Sequence, residues 1–135
     1  IRALVPAWQG RGRRSGTQSN GRLTVPAAMA TDMGNPIDSL YLSEGLVPLE
    51  DVLKTEQYSV PLANFCMGFL EHTDLPATVT SIAPRKVTLA GTLNASGKTM
   101  ELATVREAYS LADSKGHLTL REKADWTFPD LIAGA

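Results

Sequence analysis

The stretch that decides the fold runs from Lys86 to Phe128 and reads KVTLAGTLNASGKTMELATVREAYSLADSKGHLTLREKADWTF. Over residues 117–128, polar residues alternate with Leu118, Leu120 and Trp126, and one acid interrupts the apolar set. A period of two over such a length is typical of a strand with one face in a core. Residues 103–111 alternate in the same way. The sequence therefore predicts strands that run back and forth through this region.

The connection between the last two predicted strands is Asp113-Ser114-Lys115-Gly116. Aspartate supplies a side-chain acceptor and glycine a positive φ, as a tight turn requires. A one-residue slip would move every side chain to the other face, so apolar residues should pair with apolar residues. This rule pairs Tyr109 with Leu120 and Val105 with Ala124.

The same register predicts that Glu107 lies directly opposite Glu122, on the apolar face of the hairpin. Like charges opposed across a sheet are destabilising. A carboxyl group in an apolar setting is also a usable general acid or base. The alternative is that both acids lie near a sheet edge or a subunit interface, solvated or paired with arginine.

Residues Gly91–Thr99 end in Gly-Lys-Thr and superficially match a phosphate-binding loop. That loop has four residues between its glycines, whereas this segment has five, and a helix must follow it. The alternation after Lys98 predicts a strand instead. We therefore interpret Asn94-Ala95-Ser96-Gly97 as the turn of another hairpin.

Upstream of the predicted sheet, the sequence predicts a short helix over 48–54 and a second helix over 59–71. Residues 77–83 alternate and predict a further strand. The fold class is therefore α+β, with a curved antiparallel meander sheet over about 86–128 packed against one or two short helices.

The chain of 135 residues is expected to form one domain, 23–135, preceded by a basic, loop-rich arm, 1–22. Residues 1–31 hold five arginines and no acid, although the formal net charge of the chain is −1. Arg11, Arg13, Arg14 and Arg22 are the candidate contacts to an anionic partner, either nucleic acid or an acidic subunit.

Composition excludes several other classes. No apolar run reaches the roughly 20 residues of a transmembrane helix, so no membrane association is expected. One cysteine, Cys66, permits no internal disulfide. No metal or nucleotide cofactor is supported. The localisation is open, with a weak inclination to the cytoplasm, and a start at Ile1 leaves earlier processing open.

Three segments carry a resemblance to a known superfamily: Gly97–Leu102, Tyr109–Leu118 and Ala124–Phe128. They resemble the end of a cystatin-like cone-fold domain, the superfamily of ketosteroid isomerase, the polyketide cyclases and limonene epoxide hydrolase. The resemblance covers the C-terminal half only. It implies a sheet whose concave face lines an apolar pocket. A hotdog domain, as in acyl-thioester hydrolases, is the alternative fold.

The resemblance implies a set of site residues by face. Glu107, Glu122 and Tyr109 would be catalytic, and Trp126, Val105, Leu120 and Phe128 would line the ligand pocket.

The first functional hypothesis is a protein that binds an apolar small molecule as an isomerase, cyclase or hydrolase using pocket carboxylates. The second is a structural or assembly protein, a coat or accessory subunit that oligomerises through its sheet and basic arm. The third is nucleic-acid binding through the N-terminal arginines. The chain is expected to form a homo-oligomer.

Overall fold

A computed structural model describes residues 16–20, 24–32, 37, 39–45, 48–61 and 64–124 of the chain. Within these ranges the chain forms a four-stranded sheet in the order β1-β2-β3-β4, and every neighbouring pair is parallel. The strands are β1 (Gly16–Asn20), β2 (Ser39–Ser43), β3 (Lys86–Ala90) and β4 (Leu118–Arg121).

Helices occupy all three connections between the strands. Parallel neighbours require such crossovers because each strand must return to the same edge before the next begins. The helices are α1 (Thr24–Asp32), α2 (Glu50–Leu53), α3 (Phe69–His72), α4 (Leu75–Ser81), α5 (Leu102–Ala108) and α6 (Ser110–Ser114). The architecture of the described residues is therefore α/β rather than α+β.

One face of the central strands forms the core with the helices. The register aligns Leu40 with Val87 and Leu42 with Leu89, and all four side chains are buried. Helix α4 contacts both α1 and α6, so these three helices form a layer. Right-handed crossovers that advance in one direction place their helices on one face of a sheet, which accounts for this layer.

The predicted antiparallel meander is wrong, because β3 and β4 run parallel and residues 102–108 form helix α5 between them. The pattern that decides this segment has a helical period. Val105, Tyr109 and Ala112 are the buried residues, with spacings of four and three. Such spacing marks one face of a helix. Leu111, which the strand interpretation buries, is 71% exposed.

The predicted strand over 77–83 is also wrong, because helix α4 occupies Leu75–Ser81. Leu75, Val79 and Ile82 are buried at helical spacing. The start signal lies just upstream, where the carboxylate of Asp74 caps the helix and proline follows in its first turn. Both features are standard at helix N-termini.

The glycines of both predicted turns have the expected positive φ, but only one of the two turns is present as predicted. Gly116 has φ of 70°, but it follows the C-cap residue of helix α6 instead of joining two antiparallel strands. Glycine at that position ends many helices. The turn at Asn94–Gly97 is confirmed: Gly97 N donates to Asn94 O, and the Asn94 side chain accepts from the backbone of Lys98.

The helix predicted over 48–54 is present as the shorter α2. The helix predicted over 59–71 is largely wrong: among the residues that the structure describes in this range, the α-helix is limited to α3 at its end. Gly68 has φ of 73° and precedes α3 as its N-cap residue. A left-handed residue interrupts a right-handed helix, so the apolar stripe around it does not form one continuous helix.

The carboxylate of Asp74 joins two helix N-termini. Its Oδ1 accepts from Leu75 N at 2.6 Å and from Leu49 N at 2.8 Å, and its Oδ2 accepts from Glu50 N at 3.2 Å. The first turn of a helix leaves backbone N–H groups without partners in the helix itself. One side chain thus satisfies such donors at α2 and α4 together and fixes the two helices relative to each other.

We predict that Asp74→Ala lowers the free energy of unfolding by about 2 kcal/mol, because a helix cap and the link to α2 are lost together. Asp74→Asn keeps one acceptor oxygen and should cost less. The matched control is Asp113→Ala, which removes an exposed ion pair with Arg106 at 3.5 Å and should cost less than about 1 kcal/mol. Urea denaturation measures all three. Equal losses for Asp74→Ala and Asp113→Ala would contradict the bridging role.

Candidate functional site

The candidate site lies at the carboxyl ends of the strands. In open α/β sheets, ligands bind in the crevice outside this edge, because the loops that leave the strands there are free to vary. Glu44 follows β2, Gly91 follows β3 and Glu122 follows β4 directly in sequence. All three line one cavity of about 850 Å³.

The cavity has apolar and acidic lining. Its apolar lining includes Leu93, Met100 and Leu102 from the chain between β3 and α5, and its carboxylates are Glu44, Glu101 and Glu122. A volume of this size suits a small molecule, and a few polar groups on apolar walls would orient that molecule. Lys123 adds one cation to the lining.

Backbone hydrogen bonds fix the corners that form this edge. Glu44 N donates to Ala90 O at 2.8 Å, and Gly91 N donates to Arg121 O at 3.0 Å. The corner after each strand is therefore held by the neighbouring strand. These bonds bring Glu44, Gly91 and Glu122 to a single cavity although they are far apart in sequence.

The two acids predicted to face each other are separated by the parallel topology. Glu122 lines the cavity, whereas Glu107 is exposed on helix α5 and is not among the cavity's lining residues. The predicted strand pair that opposed them does not exist, since α5 replaces one of its strands. Of the two, only Glu122 is in a position to contact a ligand of this cavity.

The other predicted site residues within the described ranges belong to the core. Tyr109 and Val105 are each 1% exposed, and Leu120 is half-buried against the same core. Burial, with a smaller contribution from the charge of Asp74, raises the pKa of Tyr109 above its ordinary value. The phenol therefore stays protonated at neutral pH and is enclosed by the helix layer.

The remaining predicted site residues lie outside the described residues. They are Trp126 and Phe128, expected to line a ligand pocket, and Arg11, Arg13, Arg14 and Arg22, expected to contact a partner. Gly16–Asn20, which belongs to the predicted basic arm, forms β1 of the sheet.

Neither histidine of the chain is among the residues that line the cavity. His117 immediately precedes β4, is buried, and its Nε2 lies 2.9 Å from Val79 O. His72 is exposed at the end of α3. Within the described ranges no group of three or more metal-ligating side chains is found. No helix in these ranges is long and apolar enough to cross a membrane.

Sequence analysis did not single out Glu44 and Glu101 as site residues. Glu44 was detectable in principle, because a polar residue followed by glycine comes directly after the apolar strand Ser39–Ser43. This pattern indicates a site only when the strand is known to be parallel, because ligands bind at the carboxyl ends of parallel strands. Glu101 has no comparable signal, because its place depends on where α5 begins.

Comparison with known proteins identifies no family. No family model matches the chain, and no curated protein matches it significantly. Among solved structures, the fold is similar to that of a protein of Bacteroides fragilis NCTC 9343 that carries a provisional assignment as an acetyl xylan esterase. The TM-score is 0.52 and the identity 14%, over 87% of this chain and 32% of the other. This likeness shows the α/β fold, and the chain spans about a third of that protein.

We predict that Gly91→Ala destabilises the fold by about 2 kcal/mol or more. Gly91 has φ of 61°, and a Cβ there would lie 3.2 Å from Ala124 N, a backbone atom. Both the left-handed conformation and the contact oppose a side chain. Gly116→Ala is the control, because Gly116 has φ of 70° but nothing within 4 Å of a Cβ. Its cost should be only about 1 kcal/mol.

Thermal denaturation of both variants measures the difference. A larger loss at Gly91 supports the close approach between the ends of β3 and β4 that forms the cavity. Indistinguishable losses would mean that this approach is absent.

Proposed function

We propose that this chain forms the substrate-binding edge of a hydrolase that cleaves an acyl ester of a small molecule or carbohydrate. One observation carries the proposal: a cavity of about 850 Å³ lies at the carboxyl ends of parallel strands. That edge is where α/β enzymes of many kinds bind substrates. The hydrolase class of the proposal is supported by the structural neighbour, which is described as an acetyl xylan esterase.

A nucleophile is needed at the same edge. Ser19, Ser43 and Thr92 are the hydroxyl residues at or next to the carboxyl ends of β1, β2 and β3. Ser43 is 0% exposed and Thr92 is 5% exposed, so neither is open to a substrate. Ser19 belongs to β1, which is three strand spacings, or about 14 Å, from β4, and it is not among the residues that line the cavity. We therefore assign the attack to a water molecule in the cavity.

A proton acceptor is also needed, because neutral water is a weak nucleophile. Glu122 is the carboxylate that follows β4 and lines the cavity. In the proposed reaction, Glu122 accepts a proton from water as the water oxygen attacks the acyl carbon. The bond to the alcohol oxygen then breaks, Glu122 returns the proton to the departing alcohol, and the carboxylic acid is released.

The proposal predicts hydrolysis of 4-nitrophenyl acetate, measured as release of nitrophenol. Glu122→Gln should lower kcat by at least about a hundredfold, the usual scale for a general base. Glu107→Gln is the matched control: Glu107 is exposed on α5 away from the cavity lining, so this variant should keep wild-type activity.

Two controls make this result decisive. Circular dichroism must show the same helix content in all variants, so that a loss of activity is not a loss of fold. Equal activity in Glu122→Gln and wild type would remove Glu122 as the general base. The absence of activity in the wild-type protein, with Glu107→Gln also inactive, would contradict the hydrolase proposal itself.

A further inference from the structure

Glu44 has an unusual backbone for its residue type. Its φ is 51°, and no other non-glycine residue in the described ranges has a positive φ. This left-handed conformation crowds the Cβ of an L-residue, whereas glycine adopts it freely. Strained residues of this kind persist where the surrounding structure holds them, and they concentrate at functional sites.

The surrounding structure does hold this corner. Glu44 N donates to Ala90 O at 2.8 Å, and Leu93 N donates to Gly45 O at 2.7 Å. Both bonds go to the segment that leaves β3, one on each side of the corner. The backbone of Glu44 is therefore fixed relative to β3, and its conformation cannot relax without loss of a hydrogen bond.

The Glu44 side chain is exposed and lines the cavity beside the ends of β3 and β4. Fold stability alone would favour glycine at this position. Glutamate contributes a carboxylate, an acceptor of hydrogen bonds that stands on a fixed backbone. Leu93 and Met100, which line the same cavity, provide an apolar surface for the hydrocarbon part of a ligand.

We infer that Glu44 determines substrate specificity in this cavity by accepting hydrogen bonds from hydroxyl groups on the alcohol part of the ester. The inference rests on the proposed function and adds its substrate class, the acyl esters of polyols. The charge of the lining supports this class against anionic alcohols. The lining contains three carboxylates, Glu44, Glu101 and Glu122, and one cation, Lys123. Its net charge is therefore negative and would repel an anion.

The test compares glycerol monoacetate with propyl acetate, which has the same carbon chain but lacks the two free hydroxyl groups. The readout is acetate release, expressed as the ratio of kcat/KM for the two esters. For the wild-type protein we expect this ratio to be about ten or more, the value of one hydrogen bond to a charged group.

Two substitutions at the same position separate the carboxylate from the backbone. Glu44→Ala removes the carboxylate and keeps the strain, whereas Glu44→Gly removes both. Each should bring the ratio of the two esters close to one, and Glu44→Gly should have a higher Tm than Glu44→Ala. Glu107→Ala, an exposed glutamate on α5, should keep the wild-type ratio.

Each outcome has one meaning. A ratio near one in the wild-type protein, with both esters cleaved, overturns the inference and leaves the proposed function standing. An unchanged ratio in both Glu44 variants also overturns it, since another group must then select the polyol. If neither ester is cleaved by the wild-type protein, the proposed function fails and the inference fails with it.

Discussion

The structure depends on one constraint: parallel neighbours in a sheet must be joined by crossovers that return the chain to the same edge. In this chain the crossovers are helical, and the apolar faces of their helices pack against Leu40 and Leu42 of β2. Val87 and Leu89 of β3, which pair with these two leucines, extend the same apolar surface. Burial of such residues, about 1.5–3 kcal/mol each, is the main stabilising contribution here.

The same constraint creates the candidate site. Because all four strands run in one direction, their carboxyl ends form one edge, and the residues that leave β2, β3 and β4 line a common cavity. Asp74 holds α2 and α4 together, whereas the hydrogen bonds of Glu44 and Gly91 hold the corners of the edge. The left-handed backbone of Glu44 lies at the cavity, and strained residues of this kind are common at functional sites.

The strand Lys86–Ala90 was correctly predicted, whereas no strand was predicted for Ser39–Ser43, because a short apolar run fits several kinds of structure. The segment around Leu118–Arg121 was correctly predicted as a strand, but its partner and direction were wrong. The partner and the direction of a strand depend on contacts between residues that are distant in sequence. Helix α5 was missed because residues 103–111 alternate in polarity while Val105 and Tyr109 also fit a helical period.

The site was predicted in one part only. Glu122 was singled out as an acid, and it does line the cavity, although the strand pair used to choose it is absent. Whether it is catalytic stays a prediction. Glu44 and Gly91 could be chosen from sequence only if the strands were known to be parallel, because their proximity depends on the parallel register. The most direct measurement is a titration of the ¹⁵N-labelled protein with glycerol monoacetate, followed by amide chemical shifts. The account predicts shifts at Glu44, Gly91 and Lys123, with Lys86 and His117 at the opposite edge unchanged. Shifts confined to the opposite edge, or to the helix layer, would contradict it.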